Sequence, residues 1–349
     1  MLSKFSLYNE SEMRQWDKFV ESHPKGSPYH LSYWMRVLHK TYSFTPFMYV
    51  QKNDNENISG IVPCFFIKGF FKGNRIVSLP FTDSCDPLLN DHSQEKELWQ
   101  KIINEHKDNI KYMEIRGSLL QDSGLVCHNY YKLHVLNLGS DISEVEKNID
   151  KKTIRYSIRK AQKGGIEIRE ENTQWGIEEI YRLNFLTRKK HGVPPQPFAF
   201  FKNIFDDLVL KGYASILLAV FNSKTLAGGV FLKFKETYYY KYNASDPQCL
   251  SKQNPNHLLT WHAIQKATQE GYRFFDFGRT SPDNMGLMRY KEMWGAKSVD
   301  LPYYYYPKIM GAVSQKESGL LFRTLTRVWQ SLPDAVVKRI GPIICKHMG

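Results

Sequence analysis

Acidic residues are in short supply in this chain: 35 Asp and Glu stand against 48 Lys and Arg among 349 residues, a formal charge of +13. An excess of that size points to a polyanionic partner: RNA, a nucleotide-linked substrate or an anionic membrane surface. Cysteine is also sparse. Cys64, Cys85, Cys127, Cys249 and Cys345 are scattered, odd in number and free of any Cys-x-x-Cys pair. That excludes a disulfide framework and a structural zinc site, and fits a reducing compartment. Long apolar runs are missing as well. The longest, Gly60 to Phe71, is interrupted by Lys68 and falls short of the ~20 residues a spanning helix needs. Met1 to Glu12 is polar, with no apolar signal core. The expectation is a cytoplasmic protein that neither crosses a bilayer nor is exported by a cleaved signal.

The common catalytic signatures are absent too. There is no Gly-x-x-x-x-Gly-Lys-Ser/Thr loop, no Gly-x-Gly-x-x-Gly, no Gly-x-Ser-x-Gly and no His-Glu-x-x-His. Without Asp-x-Asp, a metal-dependent sugar-nucleotide transferase is disfavoured. Asp276-Phe277-Gly278 has the kinase tripeptide but none of its companions, so it reads as a strand end entering a turn. The eleven histidines show no metal-ligand spacing. No metal and no resident cofactor are indicated.

What remains is an ordinary globular composition, 42% hydrophobic and 24% charged, with 21 Tyr and 21 Phe. The length suggests two domains. Periodicity predicts helices over 11–22, 31–40, 93–107, 142–163, 174–191, 198–211, 256–270 and 286–293. It predicts strands over 47–52, 58–67, 75–79, 110–116, 132–138, 214–221, 226–234, 237–244, 273–277 and 298–306. Helices and strands alternate as in an α/β protein. Val50, a polar turn and Ile58-Ser59-Gly60-Ile61-Val62 are matched half a chain later by Val220, Asn222-Ser223-Lys224 and Leu226-Ala227-Gly228-Gly229-Val230. Two similar α/β lobes are therefore expected.

Three constellations stand out. Gly228 and Gly229 lie inside a strand, where glycine costs stability unless a group must approach the backbone. They suggest either a splayed strand pair whose N–H groups grip a carbonyl, or close packing beneath a helix. Tyr238, Tyr240 and Tyr242 alternate onto one face of the next strand, as half-buried sheet surface or as a pocket wall. From 151 to 163 there are six basic residues and no acid. Lys151, Arg155, Arg159 and Lys163 fall on one helical face, which favours an anion such as RNA or pyrophosphate.

The stretch Phe274-Phe275-Asp276-Phe277-Gly278-Arg279-Thr280-Ser281 followed by Arg289-Tyr290-Lys291-Glu292-Met293-Trp294-Gly295 resembles the C-terminal lobe of the FemAB-like transferases of the acetyltransferase (GNAT) superfamily, which include BioF-like acetyltransferase domains. Pro255-Asn256-His257-Leu258-Leu259 and the basic helix ending Lys163-Gly164-Gly165-Ile166 fit the same lobe. Ser78-Leu79-Pro80-Phe81 and Thr187-Arg188-Lys189-Lys190-His191-Gly192-Val193-Pro194-Pro195 resemble an exopolysaccharide-associated branch.

The resemblance implies two tandem GNAT-type lobes, each a mixed twisted sheet flanked by helices: residues 1–140, then 141–307 carrying the transfer site, then a basic helical tail at 308–349. It implies transfer of an acyl or aminoacyl group to an amine of a cell-envelope polysaccharide or peptidoglycan precursor. The co-substrate would be acyl-CoA or aminoacyl-tRNA, and the acceptor a nucleotide- or lipid-linked sugar or peptide. Lys291 matches a family lysine that stabilises charge at the transfer step. Tyr290 stands where acyl-CoA enzymes often place a leaving-group acid. Asp276 would orient or deprotonate the amine, Arg279 would contact phosphate, and Arg188 and Lys190 would line the substrate site with Gly228, Gly229, Tyr240 and Tyr242.

Several family features are missing: the helical-hairpin insertion of tRNA-using members, a lysine at the position Val37 occupies, an arginine at Lys190, and an Arg/Gln-x-x-Gly-x-Gly/Ala loop for CoA. The tail, with Leu320, Leu321, Leu325, Val328, Trp329, Val336, Val337, Ile340, Ile343 and Ile344 among Arg323, Arg327, Lys338, Arg339 and Lys346, is expected either to pack back on a lobe or to dock on anionic lipid at the inner membrane face. A non-catalytic RNA- or membrane-binding adaptor with degenerate lobes is the rival reading.

Overall fold

The computed structural model describes residues 2–5, 9–69, 73–93, 95–119, 123–248, 254–307 and 320–348. Phe71, Cys249, residues 308–319 and the side chains of Leu320, Leu321, Arg323 and Leu325 lie outside what it describes. In chain order the elements are β1 (Leu2–Phe5), α1 (Glu10–Ser22), α2 (Ser32–Tyr42), β2 (Thr45–Lys52), β3 (Ile58–Ile67), β4 (Arg75–Val77), β5 (Leu88–Leu89), α3 (Glu95–His106), β6 (Tyr112–Arg116), β7 (Val126–Asn137) and α4 (Ile142–Asn148). They continue with α5 (Tyr156–Lys163), β8 (Glu167–Glu170), α6 (Gln174–Lys190), α7 (Phe198–Ile204), β9 (Ala214–Phe221), β10 (Lys224–Phe234), β11 (Thr237–Ser245), α8 (Pro255–Gln269), β12 (Phe274–Thr280), α9 (Met285–Glu292), β13 (Lys297–Tyr306), α10 (Leu320–Ser331) and α11 (Asp334–Lys346).

The chain divides into two compact units. One comprises Met1–Tyr131, Asp300–Gln315 and Lys346–Gly349; the other comprises Lys132–Val299 and Lys316–Cys345. The divisions fall inside β7 and β13 rather than after residues 140 and 307, and the helical tail is mostly part of the second unit instead of a segment apart. Each unit thus takes one strand from the far half of the sequence, an exchange that hydrophobic periodicity does not encode.

The two units repeat one pattern. In the first, β1 to β4 are antiparallel neighbours, β4 is parallel to β6, and β6 is antiparallel to β13. In the second, β8 to β11 are antiparallel, β11 is parallel to β12, and β12 is antiparallel to β7. The β2–β3 and β9–β10 hairpins are the pair whose sequences match.

Local causes are visible. Asn9 caps α1 by accepting from the N–H groups of Ser11 and Glu12, and Met13, Trp16, Phe19 and Val20 are its buried stripe. The helix expected over 142–163 is broken. Ile149 is extended, Asp150 accepts from Thr153 N–H to start a new helix, and a wider π-type turn over Lys151–Arg155 leads into α5. The core of the second unit packs Phe231, Tyr238, Phe275 and Phe277 of the sheet against Leu259, Trp261, Ala263 and Ile264 of α8.

In the tail, Trp329 and Val337 bury against Phe185 of α6, with Leu332, Ile340 and Ile344 around them. Lys189 pairs with Asp334, and Gln330 donates to the Lys190 carbonyl. Packing back on the lobe, one of the two outcomes expected, is what these residues do.

Candidate active site

The site is built where two parallel strands part. β11 and β12 are registered over three pairs, Thr237↔Phe274, Tyr238↔Phe275 and Tyr239↔Asp276. Beyond Asp276, β12 turns away through a bulge against β7 between Asp276 and Arg279. Gly278 supplies the left-handed backbone (φ +73°) that this turn demands, and its N–H donates to Asp276 Oδ1 at 2.6 Å. Asp276 is therefore tied to the bulge as a capping carboxylate.

α9 follows at once and carries the two neighbouring side chains Tyr290 and Lys291. Lys291, only 4% exposed, donates from Nζ to the carbonyls of Gly278 (2.7 Å) and Arg279 (3.1 Å). A bulge frees carbonyls from the sheet ladder, and an ammonium is well matched to them. Tyr290 packs edge-on against Trp294 and His257. Desolvation pushes its phenol above the ordinary value, while hydrogen bonding to Thr260 opposes the shift. Thr260 Oγ1 also donates to Tyr240 Oη at 3.3 Å, so β11, α8 and α9 present two protonated phenols around one threonine. Burial likewise raises Tyr240 and Tyr239, and lowers His257.

Several expected roles shift. Gly228 and Gly229 do not mark the parting strands: β10 keeps register with β9 through both, and pairs with β11 at Gly228↔Ala244. A Cβ at Gly228 would meet Leu218 Cδ2 at 2.7 Å and Ile180 Cδ1 at 2.8 Å, so this glycine lets α6 sit down on the sheet. Lys291 joins β12 and not the glycine strand, which lies two places away. The tyrosine stripe is broken as well. The β10–β11 bulge, with Tyr242 at φ +47°, sends Tyr242 against Phe200 and Phe201 of α7, while Tyr240 packs on Phe231, Phe275 and Phe277.

Arg188 is committed to the loop after α6, donating to the Pro194 carbonyl at 2.7 Å. Lys190 is exposed at that helix end, and Thr187 fastens the same turn to Ser245 at the end of β11. Arg279 is half-buried beside the Lys291 bulge. On the basic helix, Lys151, Arg159 and Lys163 are exposed, but Arg155 folds back onto the Glu146 carbonyl, so it leaves the outward face.

One residue that motif reading misses lies opposite the β12 bulge. His134 of β7 is 0% exposed, and desolvation, with a smaller contribution from the Lys291 charge, lowers it to about 4. Its signal in the sequence is its alternation with Leu136 and Leu138, both buried.

Residues 150–292 match the family described as acetyltransferase (GNAT) domain. No curated protein matches the chain. Among solved structures it is similar to FemX (15% identity, 95% of this chain and 100% of that one, TM-score 0.66). It is also similar to L-PGS from Bacillus licheniformis (11% identity, 91% and 97%, TM-score 0.58). A tandem GNAT protein from the clavulanic acid biosynthesis pathway aligns over 87% of this chain and 97% of its own, at 10% identity and TM-score 0.57. At such identities the likeness is one of fold. No helix among the described residues is long and apolar enough to cross a membrane.

Proposed function

We propose that the second unit transfers an acyl or aminoacyl group onto an amine of a cell-envelope polysaccharide or peptidoglycan precursor. The observation that carries this reading is the buried Lys291 ammonium fixed on the β12 bulge where β11 and β12 part. The envelope assignment is supported by the resemblance to FemX and L-PGS.

In the proposed step the acceptor, as a neutral amine, attacks the donor carbonyl and a C–N bond forms. The oxyanion that develops is stabilised by Lys291. The bond from carbonyl carbon to the leaving sulfur or oxygen then breaks, the departing group takes the Tyr290 proton, and the extra proton on the newly bonded nitrogen passes to the phenolate, which leaves an amide and restores Tyr290. The elevated phenol is in its protonated form at neutral pH, as that role requires. Tyr240 and Thr260 hold the phenol in place, and Asp276 shapes the bulge.

For the donor, both acyl-CoA and aminoacyl-tRNA carry phosphate. The outward cations Lys151, Arg159 and Lys163, joined by Lys152, Lys160 and the exposed Tyr156, suit a phosphate-rich molecule. The acceptor is taken to be nucleotide- or lipid-linked. Any lipid contact through the tail would use Val336, Arg339 and Ile343, which remain on its outer side.

The purified full chain, incubated separately with labelled acetyl-CoA and with charged tRNA plus an envelope amine acceptor, should transfer from one of them. Lys291→Ala should lower turnover by roughly 100-fold or more while acceptor binding persists. Undiminished turnover in that variant would remove Lys291 from the mechanism. Absence of transfer from either donor would favour an adaptor, and ribonuclease sensitivity separates the two donors.

A further inference from the structure

α11 is apolar on two sides, and packing accounts for one of them. Its inner side brings Val337, Ile340 and Ile344 into the cluster around Phe185. Gly341 lets the helix close on the loop after α6, since a Cβ there would meet Pro195 Cδ at 2.6 Å. A helix laid on a lobe in this way is expected to be polar outside. Instead Val336, Arg339 and Ile343, at i, i+3 and i+7, form one outward line. Val336 is 38% and Ile343 61% exposed, and on α10 Val328 is 54% exposed.

Single exposed aliphatics are ordinary on any surface, so the charge around these decides what they face. Between residues 320 and 345 the one acid is Asp334, and Lys189 of α6 takes it. Arg327, Lys338 and Arg339 have no carboxylate partner among the described residues. A dry protein interface over this line would bury the Arg339 guanidinium without a counter-charge, which is strongly unfavourable. A second copy would only bring a further cation to it. At an anionic lipid surface both demands are met: the aliphatic ends enter the headgroup boundary while the guanidinium meets phosphate.

We propose that the outer side of α11, with Arg327 and Val328 of α10, rests this protein on an anionic lipid surface. Neither signal suffices alone. Each cation near such a surface strengthens binding about five-fold, and three partly inserted aliphatics add too little to hold a neutral bilayer. The contact is therefore peripheral, reversible and dependent on lipid charge. It does not depend on the acyl-transfer reading.

The test sediments the full chain with vesicles of phosphatidylcholine alone and of equal parts phosphatidylcholine and phosphatidylglycerol. Binding is expected to the anionic vesicles, weakening as salt is raised, and not to the neutral ones. Val336→Asp with Ile343→Asp should lower it about 10-fold or more, and Arg339→Gln about five-fold. Melting temperatures should stay within a few degrees of the parent, because these side chains are exposed; the arginine variant carries the test if the aspartates disturb the fold. Lys291→Ala should bind as the parent does, which keeps this inference separate from the fate of the transfer mechanism. No binding to anionic vesicles, equal binding to both vesicle types, or undiminished binding by the tail variants would overturn the proposal. Binding that survives the tail substitutions and disappears in Lys160→Glu with Lys163→Glu would place the contact on α5 and overturn it as well. A parent that ignores vesicles and sediments as a dimer, becoming monomeric when Val336 and Ile343 are changed, would give this face to a second copy.

Discussion

The two units are built from one strand pattern, yet only one of them leaves its parallel strands parted. In the first unit the β4–β6 register Arg75↔Tyr112 to Val77↔Glu114 continues into a closed seam. Ser78 N–H donates to the Glu114 carbonyl, Arg116 N–H to Ser78 Oγ, and Cys85 N–H to the Arg116 carbonyl. The Arg116 guanidinium lies over the same place, bonded to Glu114 Oε1 (2.6 Å) and to the carbonyls of Leu79 and Thr82. In the second unit the corresponding strands separate after Tyr239↔Asp276, and a lysine from the following helix stands at the end of β12. One scaffold has been closed with a buried ion pair and a loop; the other leaves its strand ends apart. The difference follows from which side chains occupy the place where the strands diverge.

The strongest way to break this comparison is to open the seam. Arg116→Met should strand Glu114 as a buried carboxylate, since the pair is only 7% and 6% exposed. Removing one partner of such a pair costs about 3–5 kcal/mol. Urea or thermal unfolding should show that loss, while transfer per folded molecule changes little, because Lys291 and its bulge belong to the other unit. A comparable loss of turnover in the folded fraction would mean that the first unit is more than a closed counterpart.

A smaller effect concerns Asp86, in the loop that closes the seam. Its carboxylate accepts from Ser118 N–H at 3.0 Å, and Gly117 is required because a Cβ there would fall 1.6 Å from Asp86 Oδ1. Burial raises this group from 3.8 to about 6. The folded state therefore holds the proton more tightly than the unfolded chain. Stability from this residue is greatest below about 4 and declines as pH rises through 6, by an amount on the order of 3 kcal/mol. Asp86→Asn keeps an acceptor for Ser118 and cannot ionise. Relative to the parent it should be more stable at pH 7 than at pH 4, by denaturant titration at both values. An equal difference at the two pH values would show that Asp86 does not titrate between them.

How much of this was open to reading in the sequence depends on the kind of information involved. The paired hairpins were legible because a polar turn and an in-strand glycine recur at matching places, and the Arg-Tyr-Lys segment was legible because its residues are contiguous. Strand alternation placed Tyr242 beside Tyr240, but alternation assumes an unbroken register, and a bulge reverses it. The break at Ile149 and Asp150 was concealed because the residues on either side of it are helical. Gly228 was recognisable as a position needing close approach; that the approaching group is Ile180 of α6 is tertiary information. The same holds for His134, which is remote in sequence from the β12 bulge and lies opposite it only after β7 pairs with β12.

The smallest expected effect sets the two matching glycines against each other. Neither has a positive φ, so alanine brings no backbone strain at either position and reduces the entropy of the unfolded chain by ~0.4–1 kcal/mol. The surroundings then decide. At Gly60 a Cβ meets Leu89 Cδ2 at 2.6 Å and Gln51 Oε1 at 3.1 Å, both ends of side chains that can turn aside. At Gly228 the contacts come from Leu218, from Ile180 on the overlying helix and from the Leu217 carbonyl at 3.3 Å. Relief there needs the buried Leu218 and Ile180 side chains to move together beside a fixed carbonyl, and overpacking of that kind costs about 1–3 kcal/mol. Gly228→Ala should therefore lower the unfolding midpoint measurably, with Gly60→Ala within about 1 kcal/mol of the parent. Equal losses would mean that the two hairpins are packed alike and that the units differ only at their parted strands.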